Sequence, residues 1–173
     1  YKFFLVPSIW VKDLLVNKIS MNEAKIKIWP VGINTDIFTD FSNEQKTNDC
    51  LIYFKRRNQS ELHFACNFLK SKNQTFEIIQ YGSYDENEMI LKSKISRYAL
   101  IINGTESQGI ATEELMSCNI PMLVWDIDSW NDMGAQYKSP ATSIPYWSNE
   151  CGEKFLNQTE IEDKFNHFLK NID

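Results

Sequence analysis

Tyr98-Ala99-Leu100-Ile101-Ile102-Asn103-Gly104-Thr105-Glu106-Ser107-Gln108-Gly109-Ile110-Ala111-Thr112-Glu113-Glu114-Leu115-Met116-Ser117-Cys118-Asn119-Ile120-Pro121-Met122-Leu123-Val124 passes from an unbroken apolar run through a short glycine-containing loop into a helical pattern and back to an apolar run. It reads as strand, loop, helix, strand. Glu106 falls in the loop at the carboxyl end of the first strand, and Glu114 falls roughly one to two turns into the helix. Open α/β sheets bind ligands at that edge. Two acceptors with helix amides between them suit a ligand with hydroxyls at both ends and an anion in the middle, which is the chemistry of a nucleotide-sugar.

The flanking sequence repeats the alternation. Phe3 to Val6 is a short apolar run, and Ser8 stands at an N-cap position before a mostly apolar helix carrying Ile9, Trp10, Val11, Leu14, Leu15 and Ile19. Lys25 to Trp29 alternates as a strand does. Residues 30–36 are turn-rich, and residues 39–50 read as a polar linker or surface loop. Leu51 to Phe54 is a strand ending in Lys55-Arg56-Arg57, and Ser60 opens a helix to about Lys72. Thr75 to Gln80 is the next strand, closed by Tyr81-Gly82-Ser83-Tyr84, with a helical stretch after it through Met89, Ile90, Leu91 and Ile95. Met122 to Trp125 is a further strand. Thr159 to Ile172 forms a closing amphipathic helix with Ile161, Phe165, Phe168 and Leu169 on one face. Strands alternating with helices from residue 51 to 125 predict a doubly wound parallel α/β sheet.

Composition bounds the function. A chain of 173 residues that is 43% apolar and 24% charged is ordinary globular usage, sufficient for one domain or one and a fraction. Net charge of −5 argues against a nucleic-acid backbone as the main partner. The four cysteines, Cys50, Cys66, Cys118 and Cys151, form no C-x-x-C pair, which points away from zinc and toward free thiols in a reducing, cytoplasmic setting. Asn58, Asn73, Asn103 and Asn157 begin N-x-[ST] triplets, which arise by chance in an Asn-rich chain. No apolar run approaches the ~20 residues of a membrane span. The opening residues are too short for a signal peptide, and the chain reads as a piece of something longer.

The segment from Glu106 to Pro121 resembles the E-x7-E signature of retaining GT-B glycosyltransferases, most closely glycosyltransferase family 4, whose usual E-[ST]-[FQ]-G-[IL] opening appears here as Glu106-Ser107-Gln108-Gly109-Ile110. Asn119 replaces the usual glycine and also tolerates a left-handed helix end. Val31-Gly32-Ile33-Asn34-Thr35-Asp36-Ile37-Phe38 resembles the family's "NGVDxxxF" interdomain turn, and Pro7 to Leu14 resembles the end of its first domain. The likeness weakens after about Asp126. It implies a Rossmann-like donor-binding domain over residues 30–173, and residues 1–29 as the tail of a preceding, otherwise missing acceptor domain or its linking helix. It further implies sugar transfer with retention of configuration from a UDP- or GDP-linked donor to an unknown acceptor, without a metal or other cofactor.

By the same resemblance Glu106 meets a sugar hydroxyl and Glu114 the ribose diol. The family's G-R-x-x-x-x-K, whose basic residues meet the diphosphate, is matched at Arg56, but Glu61 stands where the lysine would fall. Lys55, Arg56 and Arg57 are therefore all candidates for the phosphates, with Arg56 and Glu106 nearest the reacting bond. Amides around Gly109 and Ile110 begin a helix that favours an anion, and the turn at Gly82 borders the same edge. Glu113 lies about 100° around the helix from Glu114 and is expected to be structural or solvated. His63 and His167 read as ordinary helix residues, and Trp125, Trp130, Tyr146 and Trp147 as aromatic core. No Ser-His-Asp or Cys-His arrangement can be assembled. Two other readings fit the same pattern: a nucleotide-sugar epimerase, and a non-catalytic α/β binding domain.

Overall fold

The computed structural model describes residues 2–172. Strand β1 (Phe4–Val6), helix α1 (Ile9–Ile19) and strand β2 (Ile26–Ile28) come first, with β1 and β2 paired in parallel. Strands and helices then alternate: β3 (Asn48–Lys55), α2 (Gln59–Ser71), β4 (Phe76–Gln80), α3 (Glu86–Ile95), β5 (Ser96–Asn103), α4 (Ile110–Ser117) and β6 (Met122–Trp125). An antiparallel hairpin follows, β7 (Ser129–Asp132) and β8 (Ala135–Pro140), before β9 (Gly152–Phe155) and α5 (Ile161–Ile172). The main sheet runs in the order β4-β3-β5-β6-β9 and is parallel throughout. The expected Rossmann-like α/β architecture is present.

Alternation along the two central strands feeds two apolar layers. Cys50, Ile52 and Phe54 of β3 join Tyr98, Leu100 and Ile102 of β5 beneath α2 and α5, which contribute Leu62, Ala65, Phe165 and Phe168. The intervening residues Leu51, Tyr53, Ala99 and Ile101 face the other way, against Met89 of α3 and Ala111 and Leu115 of α4. A strand covered on both faces needs apolar side chains at every position, hence the unbroken runs in sequence. Each such Leu or Ile contributes about 1.5–3 kcal/mol by leaving water.

Several boundaries differ from the sequence expectation. β3 begins at Asn48, inside the stretch read as a loop, because its polar groups are satisfied locally. Asn48 Nδ2 donates to Cys50 O and Ser96 Oγ, and Asp49 accepts from the amide and hydroxyl of Thr75. Phe41 of that stretch, and Phe38 just before it, are buried against α4 and its end. Asn58, not Ser60, caps α2, in a capping box closed by Glu61. Ser8 occupies the N-cap of α1 but its hydroxyl donates to Ser107 O at 2.7 Å instead of capping. Asn119 does adopt the left-handed conformation, with φ 55°. β9 and the β7–β8 hairpin lie between Asp126 and the closing helix, a stretch with no strand pattern in the sequence. The four cysteines are free, and among the described residues no helix is long and apolar enough to cross a membrane.

β9 can approach β6 only because residue 152 is glycine. A Cβ there would sit 2.0 Å from Met122 O, and φ is +135°. Gly82 also has positive φ, +81°, but open space around it. Gly152→Ala should lower the unfolding free energy by roughly 3 kcal/mol or more, strain and clash together. Gly82→Ala should cost only about 1–2 kcal/mol. Urea unfolding of the two variants measures the difference, and equal losses would remove the close approach as the reason for this glycine.

Candidate functional site

The chain leaves β3 toward β4 on one side and returns to place β5 on the other, so the carboxyl ends of β3 and β5 open a crevice at the point where the winding reverses. Their register sets Lys55 opposite Asn103. A cavity of about 390 Å³ lies there, lined by Tyr53 and Lys55 of β3, Tyr81 and Tyr84 after β4, Asn103 of β5, and residues Glu106 to Thr112 and Glu114. A larger cavity, about 500 Å³, opens at the opposite edge beside Arg97, Pro121 and Cys151. Size alone would favour the second, but parallel sheets present ligands to the carboxyl edge, where loops and helix N-termini converge.

Glu106 is buried, with 6% of its surface exposed. Its loop is held from three directions: its amide donates to Thr142 O at 3.0 Å, and its carbonyl accepts from Trp10 Nε1 at 2.8 Å. Ser8 grips the next residue. Its carboxylate lies 2.5 Å from Lys55 Nζ, which also sits 4.4 Å from the centre of the Tyr81 ring. Burial raises the pKa of Glu106, and the hydrogen bond and charge of Lys55, with the charge of Arg56, pull it back.

Glu114 faces the cavity one helical turn beyond Ile110. Its pKa is pushed up to about 7, by burial first and then by the neighbouring charges of Glu86 and Glu113. Glu113 turns aside and accepts from Gln108 Nε2 at 2.6 Å, outside the cavity lining. Between the two acidic positions, α4 begins at Gly109 with φ 80° and no side-chain cap. Its first amides are therefore left for another acceptor, and Ile110 and Ala111 line the cavity there.

The three cations separate. Lys55 alone lines the cavity. Arg56 adopts a left-handed backbone, φ 54°, and its half-exposed side chain lies 3.7 Å from Asp132 of the β7–β8 hairpin. Arg57 is buried on the other side of the β5 end. Its Nε and Nη2 donate to Glu61 at 2.9 and 2.5 Å, and its Nη1 to Asn103 O and Trp125 O at 3.1 and 3.2 Å. The guanidinium also lies over the Trp125 ring. Glu61, the residue in the lysine position of the resemblance, thus neutralises Arg57 and caps α2 at once. Gly82 sits in the exposed turn between Tyr81 and Tyr84 and does not line the cavity itself.

In the sequence Asn103 stands out only as the start of an N-x-[ST] triplet. It is 1% exposed, and its Oδ1 has no hydrogen-bond partner among the described residues. A buried amide oxygen without a partner is costly, and no signal in the sequence marks it. Tyr53, a strand-core residue by its sequence context, reaches the cavity beside Tyr84, ring edge to ring face at 6.1 Å. His63 and His167 are exposed on α2 and α5, away from this site, and His167 Nδ1 lies 2.6 Å from Glu153. Among the described residues no three His, Cys, Asp or Glu side chains gather around a metal position. No known family profile matches the chain, and no curated protein does.

The raised pKa of Glu114 has a measurable sign. The folded protein holds its proton more tightly than the unfolded chain, so this contribution to stability is complete below 4.5 and is lost as pH rises through about 7. Glu114→Gln should flatten the decline of the unfolding midpoint across that window, leaving the smaller same-sign contributions of Glu106 and Glu113. Midpoints measured against pH for the two proteins test this, and parallel curves would contradict the assigned cause.

Proposed function

We propose that this chain is the nucleotide-sugar-binding part of a retaining glycosyltransferase. One observation carries the reading: Glu106, Glu114 and Lys55 line a single cavity at the winding reversal, with the uncapped start of α4 between the two carboxylates. In this reading Glu106 accepts from sugar hydroxyls and Glu114 from the ribose diol. Lys55 and the amides of Gly109, Ile110 and Ala111 face the diphosphate.

The chemistry follows from charge. When the sugar leaves, negative charge grows on the bridging phosphate oxygen, and donors already aimed at it lower the barrier. A helix N-terminus contributes about 0.3–1 kcal/mol when exposed and more when desolvated, so the ammonium of Lys55 dominates. In this reading Lys55, which lines the cavity, is the phosphate partner, while Arg56, the nearest match to the family's arginine, lies 3.7 Å from Asp132 and adds positive charge that is felt at Glu106. Asn103 Oδ1 offers a further acceptor to a ligand hydroxyl.

The same reading places an acceptor-binding unit against β1 and β2. Parallel strands are normally covered on both faces, whereas here Leu5 is 65% and Trp29 71% exposed. Phe3, Phe4 and Ile9 nearby are exposed as well.

Calorimetry with UDP and GDP on wild type, Glu114→Ala and Glu113→Ala tests the site. Loss of a charged hydrogen bond to the ribose, about 1.5–3 kcal/mol, should weaken binding to Glu114→Ala roughly ten- to hundredfold. Glu113→Ala should bind as wild type. Equal affinity in all three would sink the assignment.

A further inference from the structure

Lys55 is the one cation lining the cavity among the described residues, and it is already engaged. Its Nζ lies 2.5 Å from Glu106 Oε1, with side chains only 19% and 7% exposed. An arriving phosphate must therefore share this ammonium with a carboxylate that the loop holds in place through Trp10, Thr142 and Ser8. Resting on the nucleotide-sugar reading, we infer that Glu106 makes the cavity selective for an intact nucleotide-sugar over the free nucleoside diphosphate.

The two ligands differ at the atom nearest this pair. The terminal phosphate of a free nucleoside diphosphate has a second ionisation near pH 6, so it carries close to two negative charges at neutral pH. Linking it to a sugar removes that ionisation and leaves one charge. The sugar also brings hydroxyls that donate to Glu106. The carboxylate thus repels the free diphosphate, with which it must share Lys55, and accepts hydrogen bonds from the intact donor. After transfer the sugar's hydroxyls are gone and the product has gained charge. Glu106 then reclaims Lys55, which speeds release of the diphosphate, a step that often limits turnover.

Calorimetry near pH 7.5 with UDP, GDP, UDP-glucose and GDP-mannose tests this on wild type, Glu106→Gln and Glu106→Asp. Removing the like charge should strengthen nucleoside diphosphate binding to Glu106→Gln by about tenfold or more, with no such gain for the sugar-linked ligand of the same base. Glu106→Asp keeps the charge and should keep the discrimination against the free diphosphate. Glu106→Ala serves the same comparison should the Gln variant fail to fold. Unchanged or weaker diphosphate binding in the neutral variants overturns the inference and leaves the nucleotide site standing. Equal gains for both ligands overturn it as well. No binding of any ligand to any variant overturns the nucleotide reading and the inference with it.

Discussion

Strands β3 and β5 lie side by side at the centre of the sheet, and neither has a face open to water. Covering both faces requires helices on both sides, which the alternation of strand and helix supplies: α2 and α5 on one face, α3 and α4 on the other. The parallel register that results is also what builds the site. It places Lys55 opposite Asn103, and so sets the end of one strand beside the loop that leaves the other. The cavity exists because the winding reverses between these two strands, and no neighbouring connection crosses the gap.

Charge at that edge is arranged by pairing. Three consecutive basic residues leave β3, and each finds a different carboxylate: Lys55 meets Glu106, Arg56 lies near Asp132, and Arg57 is clamped by Glu61. The Arg57 pair is buried and reaches the carbonyls of Asn103 and Trp125, so it ties together the ends of three strands. Breaking such a pair by removing one partner typically costs about 3–5 kcal/mol. An arginine so fully engaged is a structural fastener, and the cation left facing the cavity is the lysine before it. The glutamate at position 61, anomalous beside the expected lysine, belongs to this fastener.

The loop carrying Glu106 depends on residues far from it in sequence. Ser8 and Trp10 reach it from α1, and Thr142 from beyond the hairpin. Trp10 also packs edge-on against Trp130 of β7. The N-terminal segment and the hairpin, outside the main sheet, thus set the position of a side chain inside the cavity. These contacts were invisible in the sequence because no local pattern encodes them. β9 was missed for a related reason: Gly152-Glu153-Lys154-Phe155 carries no apolar run, and it becomes a strand through pairing with β6. Asn48 and Asp49 likewise read as loop until their hydrogen bonds across the sheet edge are seen.

The amino-acid pattern alone encodes the element types of the central unit, the parallel sheet they form, and the placing of Glu106 and Glu114 at one edge. Those follow from local periodicity and helix geometry, which short stretches encode completely. Packing sets the rest: Glu106 is buried rather than solvated, Lys55 and not its two neighbours lines the cavity, and Asn103 lines it too. Desolvation and ion pairing depend on what packs around a group. Partners that decide these residues lie far along the chain, as with Lys55 and Glu106, Trp10 and the Glu106 carbonyl, and Arg57 and the Asn103 carbonyl.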